Sequence, residues 1–150
     1  MRILAWSRVR APHLDRPRAV PAAACAADTY LIAPSLTLVR SKVASTRETG
    51  VSRVSRWHSS DAALPAVVAQ GGAEALLAAL PNAQPETRVT ILELLLRMVP
   101  VADGQARLVA HEAATVAAQS CTSEGSASMD APATQRCRML ADELARSLGR

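Results

Sequence analysis

The fifteen residues from Pro85 to Val99 constrain the fold more than any other stretch. Pro85 stands where a first helical turn has no N–H to lose, and Glu86 follows in the turn whose dipole favours an anion. Val89, Leu92, Leu96 and Val99 recur at helical spacing, and Ile91, Leu95 and Met98 widen that seam. Glu86, Thr90, Glu93 and Arg97 form a narrow polar stripe, in which Glu93 and Arg97 are spaced for an i,i+4 ion pair of about 0.3–0.5 kcal/mol. The apolar face is wider than a single surface helix uses, so neighbours must cover this helix on more than one side.

The flanking sequence supplies such neighbours. Ser59, Ser60 and Asp61 are N-cap residue types ahead of Leu64, Val67 and Val68, one apolar helical face that Gly71-Gly72 terminates. Leu76, Leu77 and Leu80 predict a second short helix from Ala73, closed by a turn at Pro81-Asn82. Beyond Pro100, Asp103 caps an expected helix from Gly104 to about Ser120, with Leu108, Val109, Ala113, Val116 and Ala117 inside. A Ser/Gly-rich loop follows from Cys121 to Met129. Asp130 and Pro132 then open a last helix carrying Cys137, Leu140, Leu144 and Leu148, with Asp142 and Arg146 as a surface pair and Gly149 at its end. Period-2 alternation is absent, so the expected class is all-α, with about five helices in residues 61–150.

Residues 1–60 read differently. They hold ten Arg and Lys against three acids, whereas residues 61–150 hold seven against ten; the formal net charge of +4 conceals that asymmetry. Pro12, Pro17, Pro21 and Pro34 interrupt helices, and Ser is frequent toward the end of the segment. This composition predicts a basic, mostly disordered N-terminal arm or transit peptide. Arg56, Trp57, His58 and Ser59 resemble a mitochondrial presequence junction, which implies cleavage near His58 or Ser59 and a mitochondrial location; a GC-rich coding sequence explains the same arginine excess and leaves the chain cytoplasmic. Ala19 to Val39 is apolar but carries Asp28, Pro21 and Pro34 and much alanine, so no membrane span is expected.

Residues 66–73 (Ala-Val-Val-Ala-Gln-Gly-Gly-Ala) align with 107–114 (Arg-Leu-Val-Ala-His-Glu-Ala-Ala). The offset is about 41 residues, within the range of about 40–47 for helical repeats. Together with residues 89–99, the segment 64–80 resembles an armadillo repeat: a short helix, a glycine turn, a second helix and a longer third helix. A second, degenerate copy follows, with His111-Glu112 where its glycine turn belongs. The resemblance implies a short helical solenoid, or an irregular bundle if the repeats close on themselves. It implies a non-enzymatic protein-binding scaffold. In peptide-binding members the third helix carries a Trp and an Asn four residues apart; Leu94 and Met98 stand there instead, so the Asn clamp on an extended peptide backbone is missing. Thr90, Leu94, Arg97 and Met98 are then the expected partner-facing residues, with Leu94 and Met98 as apolar anchors. Two repeats leave apolar helix faces for a protein partner, a second copy or the N-terminal arm itself to cover.

The sequence offers no candidate catalytic, cofactor-binding or metal-ligating set. Cys25, Cys121 and Cys137 have no metal-ligand spacing, and His111-Glu112 lacks the second histidine of a zincin helix. The alternative function is nucleic-acid or ribosomal association, which would rest on phosphate neutralisation by the N-terminal arginines; with Trp6, Tyr30 and Trp57 as the sole aromatics, stacking contributes little.

Overall fold

The computed structural model describes residues 28–58, 60–122 and 131–149. These are all-helical, and no strand occurs among them. The helices are α1 (Ile32–Val39), α2 (Ala44–Ser55), α3 (Leu64–Ala69), α4 (Gly72–Ala79), α5 (Pro85–Met98), α6 (Gly104–Ala110), α7 (Ala113–Thr122) and α8 (Pro132–Ser147). A 3-10 turn precedes α1 (Asp28–Leu31) and another follows α4 (Leu80–Asn82). None of the described helices is long and apolar enough to cross a membrane.

Among the described residues, eight helices therefore replace the expected five, for two reasons. The helix expected from Gly104 to Ser120 is divided, because Glu112 takes a left-handed backbone (φ 51°) and separates α6 from α7. Gly71, the position aligned with Glu112, takes the same conformation (φ 81°) between α3 and α4. The turn thus forms at Glu112 without the glycine that adopts it cheaply.

The second reason is that the packed body begins well before Ser60. Residues 28–58, assigned above to the arm, form α1 and α2 and contribute Ile32, Leu36, Val39, Val51, Val54 and Trp57 to the hydrophobic core. Pro34 does not break α1, because it lies in the first turn, where no intrahelical N–H bond is lost. Buried positions in α2 are Arg47, Gly50, Val51 and Val54, a helical i, i+3, i+4, i+7 spacing. Arg and Gly hold two of those four positions, which hides the stripe from a hydrophobicity reading. The remainder of the arm, residues 1–27, lies outside the described residues.

Packing follows a regular order. α1 packs on α2 and α4; α4 packs on α3, α5, α6 and α7; α2 packs on α5, and α5 on α8. α5 is thereby flanked by α2 and α8, with α3, α4 and α6 also against it. This is the multi-sided burial its wide apolar face required, and Ile91, Leu92, Leu94, Leu95 and Met98 are all sealed from solvent.

Two buried arginines join successive layers. Arg47 of α2 donates to Ser41 O at 3.2 Å and to Asn82 O; Arg88 of α5 donates to Pro81 O at 3.2 Å and to Ser120 O at 2.9 Å. Each guanidinium binds carbonyls at the ends of two different helices, groups that have no acceptor role left within their own helix. The interval between the two arginines is the same as that between the aligned segments 66–73 and 107–114.

Candidate interaction surface

Leu94 and Met98, the expected apolar anchors, are 1% and 0% exposed. They face the core because α5 is enclosed by its neighbours, so neither presents surface to a partner. Arg97 is exposed but already engaged: Nε donates to His58 O at 3.2 Å and Nη2 to Asp61 Oδ1 at 3.1 Å. Its work is to hold the connection that enters α3 against the end of α5. Glu93 likewise binds Arg136 Nη2 of α8 at 2.7 Å in place of its expected partner on the same helix. Arg146 reaches back to Asp142 through the backbone carbonyl at 3.3 Å. Such exposed pairs contribute little individually; here they record which helices lie side by side.

Thr90 is the expected surface residue that does open onto a groove. With Glu48, Val51, Ser52 and Ser55 of α2 and Glu86 and Thr87 of α5, it lines a shallow depression of about 210 Å³ between the two helices. Two carboxylates and four hydroxyls edge it, with the Val51 side of α2 at its floor. The α2 contribution escaped the sequence reading because α2 itself did. A signal was present in the dipeptide Thr46-Arg47, which recurs as Thr87-Arg88 at the interval of the aligned segments 66–73 and 107–114.

A larger depression of about 560 Å³ lies beside the α1–α2 connection, lined by Arg40, Ser41, Lys42 and Arg47 and by Ala78, Ala79 and Asn82 at the end of α4. Its buried cation, Arg47, is committed to the two carbonyls already described. Arg40 reaches Gly71 O at 3.4 Å. Arg40 and Arg47, both counted above with the basic arm, are thereby built into helix-end contacts.

Glu74 ties α4 to α6. Its Oε1 accepts from Arg107 Nη1 at 2.9 Å and lies 3.6 Å from His111 Nε2. The His111 ring is thus placed in a surface ion-pair cluster. Among the described residues no three His, Cys, Asp or Glu side chains are grouped to hold a metal ion. Of the expected processing residues, Trp57 is buried in the core, Arg56 is exposed, and His58 is half-buried with its carbonyl bound by Arg97. Ser59 lies outside the described residues. The aromatic after Arg56 therefore has a packing role of its own. The expected leucine-rich surface is also covered: among the described residues the exposed large hydrophobics are Tyr30, Leu31, Val43, Val109 and Met139. α1 and α2 supply the layer that the leucine seam needed.

Protein-family models, curated proteins and solved structures were compared with the chain, and none matches.

Proposed function

We propose that this chain is a short armadillo-like scaffold that binds a protein partner along the α2–α5 groove and carries out no reaction itself. The observation that carries the reading is the succession of equivalent contacts. α1, α4 and α7 pack in one row, and α2, α5 and α8 in a second. Between α2 and α5, Arg47 and Arg88, Val51 and Leu92, Val54 and Leu95, and Trp57 and Met98 are buried pairs, all separated by the interval of the aligned segments. Between α4 and α7 the same interval links Ala73 with Ala114, Leu76 with Ala117 and Leu80 with Cys121. From α5 to α8 the interval is slightly longer, linking Ile91 with Cys137, Leu95 with Ala141 and Met98 with Leu144. The additional residues fall in the connection between α7 and α8. On this reading the chain holds one unit in α1–α2, one in α3–α5 and one in α6–α8, which meets the need of stacked units for neighbours.

The groove suits a polypeptide that offers cationic side chains and hydrogen-bond donors to Glu48, Glu86 and the hydroxyls between them. Any removable leader belongs ahead of Asp28, since a cut at His58–Ser59 would strip two helices from the core. The test is affinity capture with the full chain against a variant in which Thr87→Trp and Thr90→Trp fill the groove. The wild type retains a specific protein, the variant loses at least about tenfold of it, and circular dichroism is unchanged. Equal retention by both, or capture that nuclease abolishes, overturns the reading; the second result assigns the role to nucleic acid.

A further inference from the structure

Cys121 and Cys137 meet in the interior. Cys121 is in the last turn of α7 and Cys137 in the second turn of α8; both are buried and their sulfurs lie 2.6 Å apart. Packing alone does not require sulfur at this place. On the intervals above, the corresponding positions are Leu80, in the turn between α4 and α5, and Ile91 of α5, both fully buried and purely apolar. A thiol pair supplies chemistry that a Leu–Ile pair lacks, and it does so where fifteen residues separate the two cysteines and carry the chain from α7 into α8.

We propose that Cys121 and Cys137 are a disulfide-forming pair, oxidised by a small-molecule disulfide, which pins the end of α7 to α8. The Cys121 thiolate attacks one sulfur of the small disulfide and expels one thiolate, leaving a mixed disulfide. Cys137, having released its proton to water, attacks Cys121 Sγ and expels the second thiolate. Two protein thiols are oxidised by two electrons, one disulfide is reduced to two small thiols, and these take up the two protons released. Neither sulfur is open to solvent, so attack proceeds from a state in which the end of α7 has opened. The hydrogen bond to Cys137 and burial both hold the Cys121 proton above the ordinary thiol range. Reduced Cys121 is therefore a slow nucleophile at neutral pH.

The test uses the full-length chain with Cys25→Ser, which leaves only these two thiols. The reduced protein is incubated with excess glutathione disulfide at about pH 8.5, acid-quenched, and treated with a maleimide in denaturant. The expected product lacks two hydrogens by intact mass, takes up no maleimide, and melts roughly 5–10 °C higher than the reduced form. Digestion with trypsin yields peptide 108–136 joined to 137–138, separable by reductant. The same digest of the wild-type chain is the check should the Cys25→Ser variant fold poorly. Two maleimides per chain, a persistent glutathione adduct, a cross-link to Cys25, or a disulfide without a rise in melting temperature would each overturn the proposal.

Discussion

Arg88 shows how a charged residue becomes part of an interior. Its side chain is buried, and its guanidinium donates to carbonyls on two different segments, Pro81 O and Ser120 O. Methionine keeps much of the aliphatic bulk and removes the donors. Arg88→Met should therefore cost about 2–3 kcal/mol in urea unfolding, the range for hydrogen bonds to a charged group whose partners are left buried. Cys121 supplies a pH dependence. The unfolded thiol ionises near its ordinary value of about 9, whereas the folded one, held by Cys137 and by burial, keeps its proton to higher pH. Its contribution is complete below about pH 9 and is lost as the pH rises, because only the unfolded chain then gains from ionisation. The melting temperature of the reduced protein should fall as the pH is raised above about 9. In a Cys121→Ala, Cys137→Ala variant the fall should be shallower.

Among the elements, α1 and α2 meet at a close approach of their backbones. A Cβ on Gly50 would lie 2.5 Å from Val39 N and 2.8 Å from Leu38 C, both backbone atoms that cannot turn aside. Gly50→Ala should separate the two helices, cost roughly 2–3 kcal/mol in chemical denaturation, and shift Trp57 fluorescence toward that of an exposed indole. The division between α6 and α7 has a comparable local origin. Glu112 occupies a left-handed conformation that a non-glycine residue adopts at a cost of about 1–2 kcal/mol. Packing offsets that cost, because α6 and α7 both lie on α4 and a straight helix through Glu112 would carry one of them away. Local propensity favours one helix here, and tertiary contacts favour two.

In the whole molecule, the first two helices decide whether the rest has a core. A chain starting at Ser60 loses Ile32, Leu36, Val39, Val51, Val54 and Trp57, and it exposes the sides of α4 and α5 on which α1 and α2 pack. Burial of each such side chain is worth about 1.5–3 kcal/mol, and a domain of this size has little stability to spare. Thermal melts followed by circular dichroism should be cooperative for a chain starting at Asp28 and broad or absent for one starting at Ser60. A sharp, unshifted melt of the shorter chain would show that the body begins where the charge asymmetry changes.

What the residues determined alone is the helical class, the positions of α3, α4, α5 and α8 to within a residue or two, and the enclosure of α5. Each of these rests on apolar periodicity and on proline and glycine at helix ends, which act within a few residues of chain. What tertiary structure decided lies across larger separations. α2 presents Arg and Gly on its inner face, and neither reads as core until α1 and the Asn82 carbonyl stand beside them. Leu94 and Met98 read as anchors until α2 and α8 cover the helix that carries them. Thr90 was legible as surface, but its groove needs the Glu48 face of α2, which lies far earlier in the chain. A local pattern records which face of a helix is apolar; the side of the molecule that receives it is settled only when every other helix has found its place.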